Sequence, residues 1–154
     1  MRALSQRTVA VERHSSAPVE AVWDLVSRAS TWSQWAPFRT AALESEGDPA
    51  PDGVGAVRRF GTGPRISRER VVAFEAPHHL GYELLSGLPV RSYRSDIRLR
   101  PGAVGGTDIS WRSTFETPRV GTGWFWHRFV TFTLRTFSAR LARAAASGSG
   151  PGPA

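Results

Sequence analysis

The densest polar chemistry in the chain lies in Arg65-Ile66-Ser67-Arg68-Glu69-Arg70-Val71-Val72. Read as an extended strand, one face carries Arg68 and Arg70 beside Ile66, Val72 and Phe74, and the other carries Glu69 beside Val71 and Ala73. Neither parity is clean, so the sequence leaves open which one faces an interior. A charge placed there costs several kcal/mol unless it is paired or hydrogen-bonded, so these groups either snorkel from a rim or serve a function. Tyr82 and Tyr93 alternate in register with aliphatic residues and are the best-placed hydroxyls. The four histidines, His14, His78, His79 and His127, show no spacing that would bring three or four ligands to one metal. His78-His79 follows a proline turn, where adjacent side chains point apart, and both are expected at the surface. There is no cysteine, hence no disulfide, thiolate metal site or cysteine nucleophile. No Gly-x-Ser-x-Gly elbow occurs, and Gly61-Thr62-Gly63 lacks the spacing of a phosphate loop. No metal and no nucleotide cofactor is therefore expected, and no motif assigns a catalytic residue.

These residues are positioned by an order of elements that the patterning makes plain. The strongest signal is helical, from Gly123 to Ala146, where Trp126, Val130, Leu134, Phe137 and Leu141 form one stripe and Phe125, Phe129 and Phe132 a second beside it. So wide an apolar arc calls for cover, with Arg128, Thr131, Arg135 and Ser138 facing water and Arg140 and Arg143 in the last turns. Before it, Met1 to Arg7 is polar and expected to be mobile, and Thr8 to Ser15 reads as a half-exposed strand. A short helix begins at Ser16-Ala17-Pro18-Val19-Glu20, with Pro18 in its first turn and Glu20 complementing the dipole. Thr31 to Ala36 makes one more short turn before Pro37 enforces extended geometry. Six strands follow: Phe38 to Glu46, Gly55 to Phe60, Ile66 to Phe74, His79 to Leu85, Arg91 to Arg100 and Thr107 to Glu116, separated by Gly- and Pro-rich turns. The last two alternate cleanly, sending Tyr93, Ser95, Ile97 and Leu99, then Ile109, Trp111, Ser113 and Phe115, to one face. Residues 147–154 (SGSGPGPA) are too poor in apolar groups to fold and are expected to be a disordered tail after a single domain over 8–146.

At 154 residues the chain suits one domain large enough for a core and a pocket. All 20 basic residues are arginine, and the net charge is +7. They are scattered along the chain without a basic block, so no specific nucleic-acid partner is expected. With no signal peptide and no apolar run approaching about 18 residues, the chain reads as cytoplasmic, with no membrane span.

The pattern of strand, two short helices, six strands and a long helix resembles the START-like or Bet v 1-like superfamily, the polyketide cyclase/dehydrase and lipid-transport group. The resemblance covers residues 8 to 145. It is carried by Ser16-Ala17-Pro18-Val19-Glu20-Ala21-Val22-Trp23, by Trp32-Ser33-Gln34-Trp35-Ala36-Pro37, by Val54-Gly55, by Glu75-Ala76-Pro77-His78-His79-Leu80, and by Gly105-Gly106-Thr107 before Trp111. It implies an α+β helix-grip fold, in which a curved seven-stranded antiparallel sheet wraps the C-terminal helix and leaves a cavity. It also implies a hydrophobic small-molecule partner, polyketide-, lipid- or sterol-like, bound by a carrier or by a cyclase/dehydratase-like enzyme. The alternative is an interaction or assembly module whose cavity has collapsed.

The cavity is expected where the last two strands, the long helix and the Trp32 to Phe38 segment meet. Its walls would be Trp35 and Phe38, Tyr82, then Tyr93, Ser95, Trp111, Ser113 and Phe115 from the strands, and Trp126, Phe129, Val130, Thr133 and Phe137 from the helix. Ser95, Ser113 and Thr133 would leave unpaired hydroxyls in a solid apolar core, which points to water or ligand atoms as their partners.

Overall fold

The computed structural model describes residues 6–148. Strand β1 (Gln6–Ser15) leads into helix α1 (Val19–Ser27), a single 3-10 turn (Ala29–Thr31) and the one-turn helix α2 (Trp32–Trp35). Strands β2 (Thr40–Ser45), β3 (Val57–Thr62), β4 (Arg65–Glu75), β5 (His79–Ser86), β6 (Arg91–Pro101) and β7 (Thr107–Glu116) follow, and helix α3 (Gly123–Gly148) closes the described chain. The seven strands form one antiparallel sheet in the order β1-β7-β6-β5-β4-β3-β2. The expected helix-grip architecture is thus present. Gln6 and Arg7 belong to β1, where a mobile segment was expected, because both pair with β7. Of the expected tail, Ser147 and Gly148 extend α3 and the rest lies outside the described residues, so Arg140 and Arg143 fall short of the final turn.

Period-two alternation sends Val9 and Val11 of β1, Ile97 and Leu99 of β6, and Ile109, Trp111 and Phe115 of β7 to the concave face, where they are buried. Helix α3 crosses that face. Its second half is sealed by Leu141, Ala142 and Ala145, and it is pinned to β1 where the Ser15 hydroxyl donates to the Ala142 carbonyl at 2.8 Å. Ser138 does not face water as the helical wheel suggested. It is fully buried, and its hydroxyl donates to the Arg135 carbonyl, so the side chain is small and satisfied enough to sit against the sheet.

Near its start α3 behaves differently. The Phe125, Phe129, Phe132 stripe, expected to be covered, is exposed, as is Trp124. The helix meets the sheet along Val130, Leu134 and Leu141, and residues 100° apart place Phe125 and Phe132 almost opposite that line.

The α1–α2 corner is built from tryptophan. A helix end leaves carbonyls without partners, and here the indole N–H of Trp32 donates to the Val26 carbonyl at 2.9 Å and that of Trp35 to the Leu25 carbonyl at 3.2 Å. This fixes both rings under the sheet. His79 corrects another expectation. It is buried on the convex face, where its Nε2 lies 2.7 Å from Asp96 Oδ1 and its Nδ1 lies 3.4 Å from Glu75 Oε2, because the neighbouring strand supplies a carboxylate over it.

Candidate functional site

Between the first half of α3 and strands β3 to β7 lies a cavity of about 770 Å³. One wall is aromatic and rigid. Trp32 stacks on Phe60 with ring centroids 4.6 Å apart, Phe38 stacks on the same ring at 5.5 Å, and Phe137 of α3 sets its edge on Phe38 at 5.4 Å. Trp111 meets Trp32 edge-on at 6.0 Å. Tyr82, Leu84 and Tyr93 form the floor; Phe129, Thr133 and Leu134 form the roof; and Pro64, Arg65, Gly87 and Leu88 stand at the mouth. Gly87, in the β5–β6 turn, has φ +119°, and a Cβ there would lie 2.6 Å from the Ser67 backbone, so the turn closes tightly only with glycine.

The structure also decides the parity of β4. Glu69 and Val71 face the interior, whereas Arg68 and Arg70 lie outside, paired with Glu44 and Glu83. Glu69 lines the cavity. Directly across the ladder from it stands Arg58 of β3, with no solvent exposure and with Nη2 2.7 Å from Glu69 Oε1. The Arg58 guanidinium sits among three rings, 4.9 Å from the centroid of Trp32, 5.1 Å from Phe60 and 4.8 Å from Tyr82, a cation–π cage for a charge that has lost its water. Its Nε and Nη1, and the indole Nε1 of Trp111, are buried without a hydrogen-bond partner.

Burial pushes the Glu69 carboxyl above its ordinary 4.5, and the charge and hydrogen bond of Arg58 only partly offset that. Burial likewise pushes Tyr82 well above its ordinary value, with the Glu69 charge adding to the shift, and raises Tyr93. Both phenols are therefore neutral hydrogen-bonding groups at physiological pH. The site offers one carboxyl of raised pKa, two neutral tyrosines and one indole N–H in an aromatic enclosure. Among the described residues no cluster of three His, Asp or Glu side chains could hold a metal ion.

Of the residues singled out from sequence, Phe38, Tyr82, Tyr93, Trp111, Phe129, Thr133 and Phe137 line the cavity together. Six do not. Trp35 packs behind Trp32, Phe115 stacks on the far side of Tyr93, Val130 is core, and Trp126 leans on Phe125 and Phe129. Ser95 and Ser113 are fully buried beneath the wall, and the argument from unpaired hydroxyls is corrected here. The Tyr93 hydroxyl and Ser113 Oγ are 3.0 Å apart, Ser95 donates to Tyr93 at 3.4 Å, and the two serines are bonded to each other. Thr133 donates back to the Phe129 carbonyl at 3.0 Å within its own helix. The sequence reading passed over Arg58 and Phe60, and placed Trp32 at the cavity only as the start of the Trp32 to Phe38 segment. Arg58 and Phe60 share a parity in Val57-Arg58-Arg59-Phe60, which is the signal that could have placed the arginine inside.

A curved sheet gripping a long helix around a largely apolar, aromatic cavity defines a helix-grip domain of the ligand-binding type. The chain belongs to the family described as polyketide cyclase / dehydrase and lipid transport, which it matches over residues 6–146. Its fold is similar to that of a protein from Nitrosospira multiformis solved by structural genomics, with TM-score 0.76, 18% identity, and 94% of this chain and 100% of that one covered. It is also similar to norcoclaurine synthase from Thalictrum flavum, solved with dopamine and hydroxybenzaldehyde (TM-score 0.73, 16% identity, 96% and 91% covered), and to Ara h 8.0201 (TM-score 0.74, 14% identity, 93% and 99% covered). No curated protein matches the chain. No helix among the described residues is long and apolar enough to cross a membrane.

Proposed function

We propose that this chain binds a planar or polycyclic hydrophobic molecule, polyketide-, lipid- or sterol-like, that carries at least one hydrogen-bond donor, acting as a carrier or as a cyclase/dehydratase-like protein. The observation that carries this reading is the cavity of about 770 Å³ with stacked aromatic walls and a single carboxylate, Glu69, on its lining. Its volume falls within the range typical of small-molecule sites. Flat walls favour flat ligands, and Glu69, bonded to Arg58 through Oε1, has a second carboxyl oxygen that can accept from a donor on the ligand. The norcoclaurine synthase of similar fold is solved with small aromatic molecules, which supports the same ligand class. The enzymatic variant rests on Glu69, whose raised pKa suits a group that gives or takes a proton in an apolar site. A collapsed-cavity assembly module is less well supported, because the space between α3 and the sheet is open.

The test is a filled cavity. Thr133→Trp should occupy the roof and weaken binding of an anilinonaphthalene dye at least about tenfold, while the circular dichroism spectrum and melting temperature stay near wild type. Native mass spectrometry of the purified chain should show a co-purified apolar molecule that the variant lacks. Unchanged dye affinity in a folded Thr133→Trp variant would sink the reading. Turnover lost in Glu69→Gln with binding kept would select the enzyme over the carrier.

A further inference from the structure

The outward arc of α3 is aromatic where a helix in water is normally polar. Trp124 is 65% exposed, Phe125 48%, Phe129 40% and Phe132 71%, and Val120 in the preceding turn is 75% exposed. Single exposed apolar residues are ordinary, but these are contiguous: Trp124 meets Phe125 at 6.2 Å between centroids, and Phe125 stacks on Phe129 at 6.5 Å. Burying the rings in the sheet is geometrically closed to them, since the same helix already spends its inner face on Val130, Leu134 and Leu141.

Two observations decide what covers the patch. The first is charge. Residues 117–148 contain Arg119, Arg128, Arg135, Arg140 and Arg143 and no aspartate or glutamate. Arg128 and Arg135 are exposed on the same arc as Trp124 and Phe132. A second copy would bring the same cationic surface, from a chain of net charge +7, against itself. An anionic surface meets it favourably. The second observation is continuity with the cavity. Phe129 and Phe132 belong both to the exposed patch and to the lining, facing Pro64, Arg65 and Leu88 across the mouth. Whatever covers the patch therefore also covers the entrance. An apolar layer with an anionic rim would satisfy rings, arginines and opening together, and this is the description of a lipid surface.

We propose that the first half of α3 docks this protein on anionic lipid bilayers. Trp124, Phe125 and Phe132 enter the headgroup layer, Arg128 and Arg135 contact lipid phosphates, and the cavity mouth faces the membrane. Trp124 has the amphipathic ring that is favoured at such an interface. The α3 helix lies in the plane of the interface and does not span it, consistent with its short apolar arc and its four arginines.

The experiment is flotation of the full chain with vesicles of phosphatidylcholine alone and with about 30% phosphatidylserine, at low and at physiological salt. Binding to the anionic vesicles should exceed binding to neutral ones about tenfold or more and should fall as salt rises. Phe125→Ser/Phe132→Ser should reduce it by a similar factor with no change in melting temperature, since both rings are exposed. Arg128→Gln/Arg135→Gln should abolish the preference for phosphatidylserine. Absence of binding at low salt overturns the proposal, and so does an aromatic variant that binds like wild type, which would mean adhesion by charge alone. A concentration-dependent dimer that Phe132→Ser dissolves, with no vesicle binding, assigns the patch to a second copy and overturns it too. Dye affinity of the cavity measured on wild type and on Arg128→Gln/Arg135→Gln, whose side chains are not part of the lining, keeps this outcome distinct from failure of the ligand-binding reading.

Discussion

Arg58 and Glu69 form a pair whose two halves respond differently to being left alone. Arg58 is wholly enclosed by rings and neighbouring strands, and a guanidinium does not release its proton in a protein. Glu69→Leu therefore strands a buried positive charge, for among the described residues Glu69 is the one carboxylate paired with Arg58. Breaking a buried pair from one side costs about 3–5 kcal/mol, and this variant should fall in that range. Arg58→Met leaves a carboxyl that can neutralise itself. Its folded-state pKa is already above the ordinary 4.5 and rises further once Arg58 is gone. Because the folded form then binds more protons than the unfolded one, stability falls as pH rises through the window between 4.5 and the folded value. The cost of Arg58→Met should thus be smaller and should shrink on acidification from about pH 7 to about pH 5, by up to about 1.4 kcal/mol per pH unit. That of Glu69→Leu should stay flat or grow slightly, since wild type gains a little from the same protonation. The double variant Arg58→Met/Glu69→Leu, apolar and similar in volume, should recover to within about 2 kcal/mol of wild type. Urea unfolding followed by far-ultraviolet circular dichroism at the two pH values measures all four corners of the cycle. Equal costs for the two single variants, or additivity in the double, would show that the pair is not a dry, mutually dependent unit.

In α3, Leu141→Ala should cost about 2–5 kcal/mol because that side chain has no exposure, whereas Phe137→Ala, half-buried against open cavity, should cost less than the 3–5 kcal/mol usual for a packed phenylalanine; thermal unfolding of both ranks them. Burial tends to raise Asp96, but hydrogen bonds from Arg94 and His79 outweigh it and hold the carboxyl below its ordinary 3.8. Its contribution is present above pH 3.8 and lost as pH falls through the folded value, so Asp96→Asn should cost about 1 kcal/mol or less at neutral pH and progressively less on acidification below 3.8, as measured by urea titration. Since the arginines form no contiguous basic groove in the sequence, duplex DNA should bind only weakly, with an affinity that collapses between low and physiological salt in a fluorescence-anisotropy titration.

Local pattern was enough for the elements because each is written in a period of one chain segment. Alternation in Tyr93, Ser95, Ile97, Leu99 and in Ile109, Trp111, Ser113, Phe115 assigned the concave face of β6 and β7 with no knowledge of their neighbours. The Val130, Leu134, Leu141 line likewise needed only the helical repeat. What a period does not carry is the identity of the surface opposite. A helical wheel with aromatic residues on two arcs says that both are apolar; only the meeting of α3 with the sheet showed that one is buried and the other, with Phe125 and Phe132, looks outward. Ser95 and Ser113 illustrate the same limit for polar groups. Whether a buried hydroxyl lacks a partner depends on cross-strand register, and it is the antiparallel pairing of Ser95 with Ser113, next to Tyr93, that satisfies them. The interior charge was decided in the same way. Along β4 either parity carried a charge, and the choice fell to Glu69 because the β3 ladder sets Arg58 directly across from it, whereas Arg68 and Arg70 find Glu44 and Glu83 on the outer face. A charge goes inside only when its counter-charge is already there, and the counter-charge is supplied by a different strand, which no reading of one strand contains.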